Sequence, residues 1–74
     1  MKLPRISGKD TANILKKKGF VAVRQKGDHL RLEKNTVEKT IKLTVPLHKE
    51  LKKGTLNRII KDAELTLEEF LKYK

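Results

Sequence analysis

Two histidines, His29 and His48, are the side chains here best suited to moving a proton near neutral pH. An imidazole ordinarily titrates at about 6.5, where donating and accepting a proton are both easy. His29 lies in the run Arg24-Gln25-Lys26-Gly27-Asp28-His29-Leu30-Arg31. A surface histidine is by default solvated and inert, and its neighbours are what single this one out. RNA carries its own nucleophile: the 2′-OH attacks the adjacent phosphate once a base takes its proton. Cations then stabilise the charge that builds on the phosphate. A histidine among guanidinium groups supplies both parts without a metal ion. Arg24 and Arg31 can each grip a phosphate through two parallel N–H donors, which a lysine cannot do.

The other chemistry-bearing positions are weaker. His48 follows Pro46-Leu47 in a basic stretch. It is a second proton carrier or, on the simpler reading, a solvated loop residue, with water as the other carrier. Asp28 either caps a turn or orients a neighbour. Its side chain is expected on the face opposite His29, and it is assigned no catalytic role. Lys53-Gly54-Thr55 leads into a helix, where free N–H groups and the dipole attract phosphate. There is no cysteine, so no disulfide framework and no thiolate metal site. HExxH, a Gly-rich phosphate loop and a paired-carboxylate cluster for magnesium are all missing from the sequence. Neither a metal nor a cofactor is expected.

The charge points to the partner. Nineteen Lys and Arg against nine Asp and Glu give a net charge of +10. Residues 1–61 hold 17 basic and 5 acidic side chains, and residues 62–74 hold 2 and 4. Such an imbalance expects a polyanion, nucleic acid first. The aromatic residues are only Phe20, Phe70 and Tyr73, so no stacking platform of the single-strand-binding kind is present. Contact through the phosphate backbone, with weak sequence preference, is the expectation. No apolar run approaches the roughly 20 residues that span a bilayer. The reading is a soluble, cytoplasmic protein of one domain, residues 1–74, with a small core.

The elements must hold these side chains in place. Residues 1–6 form a short lead-in. Ser7 is a plausible N-cap for a helix over about 8–18, with Asp10 in its first turn and Gly19 as its stop. Residues 20–25 and 30–32 read as two strands joined by a Lys26-Gly27 turn, with Gly27 supplying positive φ. Pairing across that turn sets Arg24 opposite His29 and Val23 opposite Leu30. Val21, Val23, Leu30 and Leu32 then share the inner face; Ala22, Arg24, His29 and Arg31 share the outer one. Ile41, Leu43 and Val45 alternate with Thr40, Lys42 and Thr44 in a third strand, which puts Lys42 on the basic face. Pro46 ends it. Thr55 is expected to cap a helix carrying Leu56, Ile59, Ile60 and Ala63 on one stripe. Thr66 and Glu69 form a capping box for a last short helix, with Leu67, Phe70 and Leu71 inward. The order is α-β-β-β-α-α, an α+β fold with a three-stranded antiparallel sheet and helices on one face.

That order in a small basic chain is the layout of the double-stranded-RNA-binding domain. Gly19-Phe20, Arg24 to His29, Val45-Pro46, Lys53 to Leu56, Ile59-Ile60-Lys61 and Leu67 to Leu71 together resemble the HicA family of toxins. The resemblance implies a small mRNA-cleaving ribonuclease from a toxin–antitoxin module, neutralised by a HicB-type antitoxin. It also implies one essential histidine in a Gly-Ser-His motif, which here reads Gly27-Asp28-His29. The glycine and histidine match and the serine does not. His29 is therefore the expected catalytic residue, with Gly27 in the turn that places it. Arg24, Lys26, Arg31, Lys42 and Lys53 are the expected RNA contacts. The competing expectation is a non-catalytic RNA-binding module on the same fold.

Overall fold

The computed structural model describes residues 3–73. The first two residues of the lead-in and residue 74 lie outside the described residues. Six elements follow in order: α1 (Gly8–Lys17), β1 (Val21–Lys26), β2 (His29–Asn35), β3 (Thr40–Pro46), α2 (Lys53–Asp62) and α3 (Leu67–Lys72). The strands form one antiparallel sheet in the order β1-β2-β3. This is the expected α+β arrangement of the double-stranded-RNA-binding type.

The helix starts follow their sequence signals. The Ser7 side chain accepts from the backbone N–H of Asp10 at 3.0 Å, satisfying one of the orphan donors of α1. Thr66 and Glu69 close both halves of the capping box at 3.1 Å each. The start of α2 differs from the expectation. It begins at Lys53 with Lys52 as N-cap and no side-chain cap, so Thr55 sits inside the first turn.

One core forms between the sheet and the helices. Leu15 of α1, Leu32 of β2, Val45 of β3, Leu56 of α2 and Phe70 of α3 are completely buried. Burying each such side chain is worth about 1.5–3 kcal/mol. Ile41, Leu43 and Val45 point inward while Thr40, Lys42 and Thr44 are exposed, the alternation expected for β3.

The β1–β2 register corrects the sequence reading. Lys26 pairs with His29, Gln25 with Leu30 and Arg24 with Arg31. The two-residue turn is therefore Gly27-Asp28, one residue later than expected. The physical reason is φ: Gly27 sits at +61°, and a hairpin turn with glycine as its first central residue takes that conformation without cost. A bulge between Ala22 and Arg24 then shifts the pairing, so that Ala22 meets Leu32 and Val21 meets Glu33. The inserted residue reverses the alternation. Val21 and Val23, expected in the core, are 62% and 50% exposed, and Ala22, now on the face shared with Leu32, is exposed as well.

Candidate functional site

The outer face of the sheet collects the basic side chains despite the changed register. Arg24, Lys26, His29 and Arg31 line one hollow together with Thr44. Cross-strand pairing explains it: Lys26 lies opposite His29, Arg24 opposite Arg31, and Arg31 opposite Thr44. A second hollow opens between β3 and α2. His29, Thr44 and Pro46 form one wall, and Thr55, Arg58 and Asp62 of α2 line the other. His29 and Thr44 belong to both hollows. His29 thus stands where a track of cations from β1 and β2 meets a cleft ending at Arg58. Arg58 also pairs with Asp62, Nε to Oδ2 at 3.8 Å.

His29 has a close partner. Its Nδ1 lies 2.9 Å from Oδ1 of Asp28. The other carboxylate oxygen, Oδ2, lies 3.3 Å from Nε2 of His48. Asp28 was expected to point away from His29. It does not, because the turn falls one residue later, at Gly27-Asp28, and leaves Asp28 outside the strand. All three side chains are 58% exposed.

Backbone contacts hold this group together. The Leu47 N–H donates to the carbonyl of Asp28, next to the end of β3. The carbonyl of His48 accepts from the Gly8 N–H at 2.9 Å, and Leu51 N–H donates to the Ile6 carbonyl at 2.8 Å. A Cβ on Gly8 would fall 1.9 Å from the carbonyl oxygen of Pro46. Only glycine permits α1 to start this close to the chain leading into His48.

The remaining expected contacts lie further off. Lys42 is on the outer face opposite Glu33, beyond both hollows, and Lys53 opens α2 rather than lining the cleft. Sequence reasoning missed Arg58, Thr44 and the two contacts of Asp28. Thr44 was legible as an outward residue of β3. Nothing in the chain marked Arg58 as a neighbour of His29, since that depends on where α2 packs. Among the described residues, no group of three or more His, Asp or Glu side chains is arranged to hold a metal ion.

A family model for the HicA toxin of bacterial toxin–antitoxin systems matches residues 8–65. The chain belongs to the HicA toxin family. No curated protein matches it. The matched span runs from the first residue of α1 to just beyond α2 and contains every residue of both hollows. Only α3 falls outside it. Membership makes the protein a toxin and implies an antitoxin partner. Among the described residues, no helix of this HicA toxin is long and apolar enough to cross a membrane.

Proposed function

We propose that this HicA toxin is a metal-independent endoribonuclease that cleaves mRNA in the cytoplasm, with His29 as the proton carrier. The observation that carries the reading is the position of His29 at the junction of the two hollows, flanked by Arg24, Lys26, Arg31 and Arg58. The first hollow suits a phosphodiester backbone, being open and lined by Arg24, Lys26 and Arg31; the second adds Arg58, whose charge Asp62 partly offsets, and both carry threonine hydroxyls. Phosphate contacts would run from Arg24, Lys26 and Arg31 toward Lys42 on the same face. Lys53, at the α2 end where the N-cap Lys52 makes no side-chain capping bond, would meet a phosphate further along the strand.

In this mechanism His29 takes the proton of the 2′-OH. The 2′-oxygen then attacks its own phosphorus and the bond to the 5′-oxygen breaks. The leaving 5′-oxygen takes a proton from water. The products are a 2′,3′-cyclic phosphate end and a 5′-hydroxyl end. Arg24 and Arg31 stabilise the extra negative charge of the five-coordinate phosphate, where fixed cations contribute most. The neutralising partner is a HicB-type antitoxin. An acidic surface of that partner, closing off the His29 face, would exploit the +10 charge.

The test is cleavage of defined RNA in excess EDTA, with analysis of the ends. The expected result is undiminished cleavage, a cyclic or 3′-phosphate end, and no cutting where the scissile 2′-OH is replaced by hydrogen. Cleavage that stops with EDTA and returns with magnesium contradicts the mechanism. Tight RNA binding with no cleavage favours a non-catalytic binding module instead.

A further inference from the structure

We propose that Asp28 is a positioning residue that fixes the proton of His29 on Nδ1 and leaves Nε2 free for the substrate, with His48 steadying the carboxylate from its other side. The inference rests on the ribonuclease reading for its purpose and on geometry for its content. Oδ1 and Nδ1 lie 2.9 Å apart; a carboxylate only accepts, so a bare Nδ1 at that distance would set two lone pairs against each other, and the hydrogen is favoured on Nδ1. The lone pair of the neutral ring then lies on Nε2. That is the nitrogen a base needs, in a ring that lines both hollows. When Nε2 takes a proton, the same carboxylate faces the new positive charge and stabilises it.

The second oxygen argues for a built arrangement. A carboxylate with one partner can rotate away from it. Here Oδ2 is held 3.3 Å from Nε2 of His48. His48 is tied by its own carbonyl to the N–H of Gly8, and Asp28 by its carbonyl to the N–H of Leu47. The turn, the chain after β3 and the start of α1 therefore bring the three side chains together through backbone bonds. Asp28 and His48 line neither hollow, so their contribution passes through His29.

The tautomer is directly observable in the free protein. Long-range ¹⁵N–¹H correlation spectra at alkaline pH separate a ring protonated on Nδ1 from one protonated on Nε2. The expected spectrum of the wild type shows His29 with its hydrogen on Nδ1. In Asp28→Asn the side-chain NH₂ can donate to a bare Nδ1, so the hydrogen should move to Nε2. Cleavage by Asp28→Asn should fall by up to roughly 10⁴-fold, the loss when the aspartate orienting a general-base histidine becomes asparagine. KM should stay near the wild-type value, and Asp28→Glu should recover part of the rate. His29 protonated on Nε2 in the wild type overturns the proposal, as does a tautomer indifferent to Asp28→Asn, or unchanged cleavage in that variant. A wild type that cuts no RNA yet carries the hydrogen on Nδ1 supports the pairing and removes the nuclease reading, so the two failures are distinguishable.

Discussion

Arg24 and Arg31 stand directly opposite each other across the β1–β2 pair. Like charges at directly opposed positions destabilise a sheet by roughly 0.2–1 kcal/mol. The arrangement works against the fold and in favour of an anion that can bridge both guanidinium groups. Arg24→Thr should therefore raise stability by up to about 1 kcal/mol and weaken RNA binding. Urea unfolding beside RNA titration checks both signs. A variant that loses stability while binding RNA normally would mean the pair is structural.

Salt dependence counts the phosphates. Each phosphate neutralised on a single strand contributes about −0.7 to the log–log slope of affinity against salt. Arg58→Ala should make the slope shallower by about that amount, although Arg58 lies on α2 and not on the strands that carry Arg24, Lys26 and Arg31. Asp62→Asn removes the carboxylate that pairs with Arg58 and should tighten binding. Fluorescence titrations at several salt concentrations measure both. An unaltered slope in Arg58→Ala would remove the α2 cleft from the RNA path.

Gly8→Ala tests the scaffold behind the site. The added Cβ would meet the Pro46 carbonyl oxygen at 1.9 Å, so α1 or the chain toward His48 has to move. Overpacking of this kind costs typically about 1–3 kcal/mol. The variant should melt earlier and cleave more slowly even when fully folded at low temperature. Unchanged melting would show that the contact is easily relaxed.

The carboxyl of Glu69 is held below its ordinary value, first by the backbone N–H of Thr66, then by the Thr66 hydroxyl, with Lys18 adding a smaller pull. A folded-state pKa below the unfolded one gives stability that is present above the unfolded value and lost as pH falls through the folded value. The docking of α3 should therefore weaken below the ordinary glutamate value of 4.5. Glu69→Ala should be less stable than wild type at neutral pH, and the difference should shrink in acid. Melting curves across that range check the sign. A gap that widens in acid would contradict it.

The sequence made β3, the Thr66–Glu69 box and the face carrying His29 and Arg31 legible, because each depends on local periodicity or local capping. The edge strand was not legible. Val21 and Val23 alternate like core residues, yet the bulge turns Val21 outward beside Glu33 and leaves Val23 exposed. A bulge leaves no mark in a hydrophobic pattern. The contacts of Asp28 with His29 and His48 were hidden by the same one-residue uncertainty in the turn. Arg58 was hidden because helix placement against β3 is a tertiary fact.

His29→Ala tests the central claim most directly. The side chain lies on the outer face and more than half of it is exposed, so its removal leaves no core cavity. Stability should change by less than about 1 kcal/mol. RNA affinity should fall only slightly, since Arg24, Lys26, Arg31 and Arg58 remain. Proton transfer by a positioned side chain is typically worth about 10²–10⁴ in rate, so cleavage and growth arrest should be lost together. Melting, RNA binding and cleavage measured side by side on the purified variant give the answer. The expected result is a folded protein that binds RNA and does not cut it; a folded His29→Ala protein that cuts RNA at the wild-type rate contradicts the account.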